Sequence, residues 1–151
     1  MVKCCVISHP EKCNVVRYNS ILLNHFLIKM EERDKKFDDI HYSITIMNDG
    51  KVEYQGIRNV KTTGTKVSKI SDNELNSLID EFIDIYFFAM KDKYEICQKE
   101  NVPIVVVSVS WQNKFKQIVH DRDCKIPAEL IEFEQMIEKF TELNQWTGSD
   151  F

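Results

Sequence analysis

Glycine and proline are scarce in this chain, four and three in 151 residues. That leaves little room for flexible linkers, proline-rich spacers or glycine-patterned repeats. No internal repeat and no low-complexity tract is visible. No apolar run approaches the length of a bilayer span. The N-terminal apolar run, residues 4–7, is too short for the core of a signal peptide and is followed by His9, Pro10 and Glu11. The expectation is a soluble, cytoplasmic protein. Positive charge is in deficit too. A net charge of −4 and a pI near 5.6 argue against generic binding to nucleic acid or an anionic membrane. Glycine-rich phosphate loops, H-E-x-x-H helices and G-x-S-x-G elbows are all missing, so no familiar enzyme chemistry announces itself.

What is present is ordinary globular composition, 43% hydrophobic and 29% charged, in a length that suits one domain. That domain is expected to span residues 1–151, with an N-terminal extension over 1–38 and a core over 40–147. Five cysteines, an odd number without a secretion signal, are expected to be reduced thiols.

The most organised stretch is IHYSITIMNDGKVEYQG, residues 40–56. Ile40, Tyr42, Ile44 and Ile46 alternate with polar neighbours, the period-two signature of a half-buried strand. A two-residue turn at Asp49-Gly50 would set Ile46 against Glu53, mixing apolar and polar side chains on one face. A three-residue loop, Asn48-Asp49-Gly50, pairs Ile46 with Val52, Ile44 with Tyr54 and Tyr42 with Gly56. The buried face fixes the register, with Gly50 supplying the left-handed residue.

Before the hairpin, residues 2–7 suit a short strand. Residues 15–33 suit a helix, because Val15, Tyr18, Leu22, Phe26 and Met30 recur at three- and four-residue steps. After it, Thr65, Val67 and Lys69 alternate with their neighbours in a lysine-guarded edge strand. Ser71 and Glu74 form a capping box that opens a helix running to about residues 88–90. Residues 91–101 read as a charged connection. Pro103 leads into IVVVSVSW, whose β-branched density marks a central strand. A three-residue loop, Gln112-Asn113-Lys114, would set Trp111 against Phe115 and Val107 against Val119. Pro127 fits the first turn of a closing helix with Leu130, Phe133, Ile137 and Phe140 on one stripe. The expected fold is α+β, a single antiparallel sheet of four to five strands with helices packed on one face.

Several of these pieces form an ordered series: DGKVEYQG at 49–56, NVKTTG at 59–64, ISDNEL at 70–75, FFAMKDKYE at 87–95, the strand led by Pro103, and a closing helix ending in Trp146. This series resembles an uncharacterised, mostly bacterial domain-of-unknown-function family over roughly residues 40–147. The resemblance implies an α+β domain and no known reaction. Members often carry Cys-x-Gly-x-Cys-Pro before the first strand, where this chain has Lys36 to His41, and an aspartate before the strand proline, where it has Val102.

Candidate chemistry is sparse. Cys4, Cys5, His9 and Cys13 offer zinc-type ligand atoms, although adjacent strand cysteines point to opposite faces and no C-x2-C knuckle is present. Of these, Cys4, His9 and Cys13 are the metal-ligand candidates. His120 and Cys124, with Asp121 and Asp123 between, could supply a base and a nucleophile or hold a hard cation. The charge pattern is more suggestive. Lys51, Arg58, Lys61, Lys66 and Lys69 face a single acid, Glu53, in residues 51–70, while both flanking helices are acidic. The preferred reading is a non-enzymatic binding or protein-interaction module without a cofactor. Its basic edge of Arg58, Lys61, Lys66 and Lys69 would meet an acidic or phosphorylated protein partner. A small metal- or thiol-dependent enzyme and a structural homodimer are the alternatives.

Overall fold

The computed structural model describes residues 26–94, 101–122 and 124–148. Among the described residues, seven strands form one sheet: β1 (Leu27–Arg33), β2 (Ile40–Met47), β3 (Lys51–Gly56), β4 (Gly64–Lys69), β5 (Lys93–Tyr94), β6 (Ile104–Trp111) and β7 (Lys114–Asp121). Their order across the sheet is β4-β3-β2-β1-β6-β7-β5. Helix α1 (Asp72–Asp84) follows β4, while α2 (Ala128–Thr141) and the single turn α3 (Asn144–Thr147) follow β7. The α+β class holds, but the expected sheet of four to five purely antiparallel strands does not. Two strands lie where none was expected, and β5 runs parallel to β7.

The first hairpin pairs as its alternation requires: Ile46 with Val52, Ile44 with Tyr54 and Tyr42 with Gly56. Gly50 sits at φ 85°, and a Cβ there would meet the Ile70 carbonyl oxygen at 2.8 Å. Gly56 is required for a different reason. The Tyr54 hydroxyl donates to the Thr62 carbonyl at 2.9 Å directly over it, leaving 2.1 Å between that oxygen and any Cβ. At α1, the Ser71 side chain accepts from the Glu74 amide and the Glu74 carboxylate accepts from the Ser71 amide, the reciprocal box its sequence encodes.

Three expectations are corrected. Residues 27–33, assigned to the end of a helix, are β1, and the rest of that segment, like the strand at 2–7, lies outside the described residues. Phe26 and Met30 are one helical turn apart, but Phe26, Ile28 and Met30 also alternate, and all three are buried. Pairing on both sides, with β2 and with β6, favours the second periodicity. The β6–β7 loop has two residues, not three, because Gln112 and Asn113 both adopt left-handed φ (51° and 62°), matching the twist of a tight hairpin. Trp111 therefore opposes Lys114, and Val107 opposes Ile118. Finally, the connection over 91–101 contains β5, held beside β7 where Lys116 donates to the Met90 carbonyl and pairs with Asp92.

The helices share one core with one face of the sheet. Ile28, Met30, Ile44, Ile46, Val107 and Val109 are fully buried beneath Leu78, Ile79, Phe82, Phe133 and Ile137. Phe82 of α1 stands edge-on to Trp111, with ring centroids 5.2 Å apart. Trp146 of α3 stacks on Tyr54 at 5.0 Å. Such ring pairs add about 0.5–1.5 kcal/mol beyond their burial.

Gly56→Ala is expected to lower unfolding stability by about 1–3 kcal/mol, the usual range for overpacking. Ser71→Ala, which only removes a cap, should cost about 1 kcal/mol. Urea denaturation of both variants would check the order of the two effects.

Candidate functional site

Strand alternation places Lys116, Ile118 and His120 of β7 on the helix-covered face, so the apolar character of that face gives way to polar groups toward the strand end. His120 lies opposite Val105 and is buried. Its Nδ1 lies 2.9 Å from the Asp121 carbonyl oxygen, which can only accept, so Nδ1 carries hydrogen. Its Nε2 lies 2.7 Å from Oε2 of Glu134 on α2. One further proton is therefore shared between imidazole and carboxyl. Burial opposes the imidazolium, but the hydrogen bond and charge of Glu134, helped by the Asp121 carbonyl, outweigh it and raise the His120 pKa.

Arg122 follows directly, its backbone fixed by donation to the Pro103 carbonyl at 2.8 Å. Its guanidinium reaches three elements. Nε lies 2.7 Å from Glu32 on β1, an ion pair off the line of the N–H bond. Nη2 donates to the Tyr42 hydroxyl of β2 at 3.2 Å, and Nη1 stands 3.7 Å from Glu138 of α2. Burial raises the Tyr42 phenol, with Arg122 opposing. Burial also pushes the Glu138 carboxyl up to about 7, with Arg122 opposing and Glu134 and Glu32 reinforcing the rise. The other oxygen of Glu32 pairs with His41 Nδ1 at 3.1 Å, and His41 Nε2 meets the Asn59 amide at 3.2 Å. A continuous polar chain thus runs from Asn59 under the sheet end to α2. Beside it, between β7 and α2, lies a cavity of about 750 Å3 with Val105, Ile126 and Ile131 among its apolar walls.

The fold disperses the candidates that the sequence suggested. His120 and Asp121 point to opposite faces of β7, and Asp121 is held by Lys35. Cys124 Sγ lies 3.4 Å from the Arg122 carbonyl oxygen, while His120 is engaged by the Asp121 carbonyl and Glu134. Cys4, Cys5, His9, Cys13 and Asp123 lie outside the described residues. Among the described residues, no group of three or more His, Cys, Asp or Glu is arranged to hold a metal ion. Of the basic set, Arg58 pairs with Asp39 at 3.0 Å. Lys61 lies in the β3–β4 loop, whose amides donate to the Thr147 and Trp146 carbonyls. Lys66 and Lys69 lie on β4, the outermost strand, and both are exposed. Lys66 stands on the helix-covered side, opposite Tyr54, and Lys69 on the other, opposite Lys51.

Sequence reasoning missed Glu32, Tyr42, Arg122, Glu134 and Glu138 as a group. The signal that could have found part of it is Glu134 and Glu138, four residues apart and each next to a core position of the α2 stripe.

The family description Domain of unknown function (DUF6438) matches residues 41–141. The chain belongs to the DUF6438 family. No curated protein matches it. The DUF6438 match encloses Tyr42, His120, Arg122, Glu134 and Glu138, as well as the basic set, while Glu32 precedes it. Among the described residues of this DUF6438 member, no helix is long and apolar enough to cross a membrane.

The buried charges set a pH dependence. A carboxyl whose folded pKa sits above its unfolded value holds its proton more tightly when folded, so stability falls as pH rises between the two values and is flat beyond. For Glu138 that window runs from the ordinary 4.5 to about 7. The raised His120 has the same sign, its contribution being lost as pH rises past 6.5. Stability measured by urea denaturation is expected to fall by on the order of 2–3 kcal/mol from pH 5 to pH 8. Glu138→Gln should flatten most of that slope.

Proposed function

We propose that the protein is a non-enzymatic interaction module that receives an extended, anionic segment of a protein partner along β4. The observation that carries this reading is the state of that strand. β4 is the outermost strand, five of its six residues are exposed, and Val67 is 61% exposed. An outermost strand leaves one side of its backbone amides and carbonyls without a strand partner, and an added strand satisfies them.

Charge selects the occupant. Lys66 and Lys69 project on opposite sides of β4, and neither they nor Lys61 form an ion pair among the described residues. A second copy of β4 would bring these lysines together, so self-pairing is disfavoured. A strand with acidic or phosphorylated residues on both faces would meet a base on each side. Arg58, already paired with Asp39, contributes at most a secondary contact.

Fluorescence anisotropy with a labelled peptide of alternating Glu and Val tests this reading. Binding is expected for that peptide and not for its Lys-Val counterpart. Lys66→Glu combined with Lys69→Glu should weaken it at least tenfold. A proline in the middle of the peptide should abolish it, because proline cannot donate to a ladder. Equal binding of the lysine peptide, or binding that survives both substitutions, would overturn the proposal.

A further inference from the structure

Helix α2 presents two different faces. Leu130, Phe133 and Ile137 point into the core, whereas Ile131, Glu134, Glu138 and Glu142 recur at three- and four-residue steps along the cavity. Three carboxylates therefore form a row from the exposed Glu142 inward to Glu138 and Glu134, which are only 6% and 7% exposed.

Pairing within that row is uneven. Glu134 has His120 at hydrogen-bond distance. The nearest base to Glu138 is Arg122 Nη1 at 3.7 Å, a looser approach than the 2.7 Å contacts made by Glu134 and Glu32. Arg122 is already engaged by Glu32 and Tyr42. Glu32 has His41 as well as Arg122, and Glu134 has His120, so Glu138, with Arg122 alone at 3.7 Å, is the most loosely paired of the three carboxyls. A buried carboxyl in that position either keeps its proton or meets a cation from outside.

The cavity supplies both room and a second kind of surface. Its volume of about 750 Å3 falls within the range of ligand pockets, roughly 300–1,000 Å3. Val105, Ile126 and Ile131 line it opposite and beside the carboxylates. The described acidic and imidazole groups are not arranged for a metal ion, and the apolar walls beside the loosely paired Glu138 suit an organic cation. We infer that this cavity binds a small organic cation, an ammonium on an apolar body, with the nitrogen donating to Glu138 and the body lying against Val105, Ile126 and Ile131.

Binding is then linked to ionisation of Glu138. The groups that face it are Arg122 from the loop after β7, Glu134 on its own helix, Glu32 from β1 and Tyr42 from β2, with Lys139 at the mouth. An ammonium that displaces the Glu138 proton binds more tightly as pH rises through the region near 7.

The test is a titration of the full chain, followed by two-dimensional amide NMR, with benzylammonium as probe. Benzyl alcohol and benzoate present the same ring with neutral and negative head groups. Benzylammonium is expected to shift the amides of Val105, His120 and Glu134 saturably, with at least tenfold tighter binding than either control. Its affinity should rise about tenfold from pH 6 to pH 8, with proton release visible by calorimetry in two buffers. Glu138→Gln should remove both the affinity gain and the pH dependence. Benzoate binding as tightly as benzylammonium would overturn the inference in favour of an anion site on Arg122 and Lys139. Absence of a saturable shift with benzylammonium at either pH would overturn it outright. The three-probe comparison needs only the unmodified protein, so it decides the matter even if the glutamine variant does not fold.

Discussion

Among the described residues, strand β1 is the only connection between two halves of the sheet. On one side it pairs with β2, which carries β3 and β4, and on the other with β6, which carries β7 and β5. Ile28 and Met30 are fully buried and lie in rows with Ile46 and Ile44 on one side and Val109 and Val107 on the other. Two inward rows of the core pass through them, and a third, Tyr42–Glu32–Val105, passes through Glu32. Helices α1 and α2 can share one hydrophobic cluster only because β1 brings the two strand groups into one surface. A single hairpin with one oily face would be marginal alone.

The same strand carries charge into the structure. Glu32 continues β1 past its apolar residues and meets Arg122, so the junction between sheet halves is also where the buried charges converge. On the opposite face Glu31 is held by Lys29 and Arg33, which lower its pKa against the effect of burial. Glu31 is neutralised by its strand neighbours. Glu134 and Glu138 depend on residues from β7 and the loop beyond it, and Glu32 on that loop and on His41 of β2. Buried ion pairs of this kind gain little over apolar packing and tend to mark specificity or function rather than stability.

How much of this was legible depends on how far apart the deciding residues lie. The β2–β3 register was readable because Ile44, Ile46, Val52 and Tyr54 sit within one hairpin and leave one consistent pairing. The α1 start was readable because Ser71 and Glu74 carry their own partners. β1 was not, since Phe26 and Met30 satisfy a helix and a strand equally, and β6 far along the chain decides between them. Apolar matching misplaced β7 because Lys116 occupies an inward row, its side chain 13% exposed and its amine led out to Asp92. Phe115, which matching turned inward, is 64% exposed. The charge cluster was invisible for the same reason as β1: Glu32, Tyr42, Arg122 and Glu138 come from four separate segments. The acids of α2 read as one solvated face, and only packing separates Glu132 outside from Glu134 and Glu138 inside.

The pairing of β1 with β6 also sets an order of events on the way to the native state. Leu27 meets Ser110, and Arg33 meets Ile104, so nearly all of β2, β3, β4 and α1 must be made before β1 gains its second neighbour. Contacts of such long sequence separation form slowly. A nascent chain that has completed the local meander therefore carries β1 as a temporary outer strand, with Ile28 and Met30 uncovered on one side. Lys29, Glu31, Glu32 and Arg33 place charges of both signs along that strand, a pattern that resists pairing with other chains. The residues that later form the junction of the finished sheet would thus protect the chain against aggregation while it is still being synthesised.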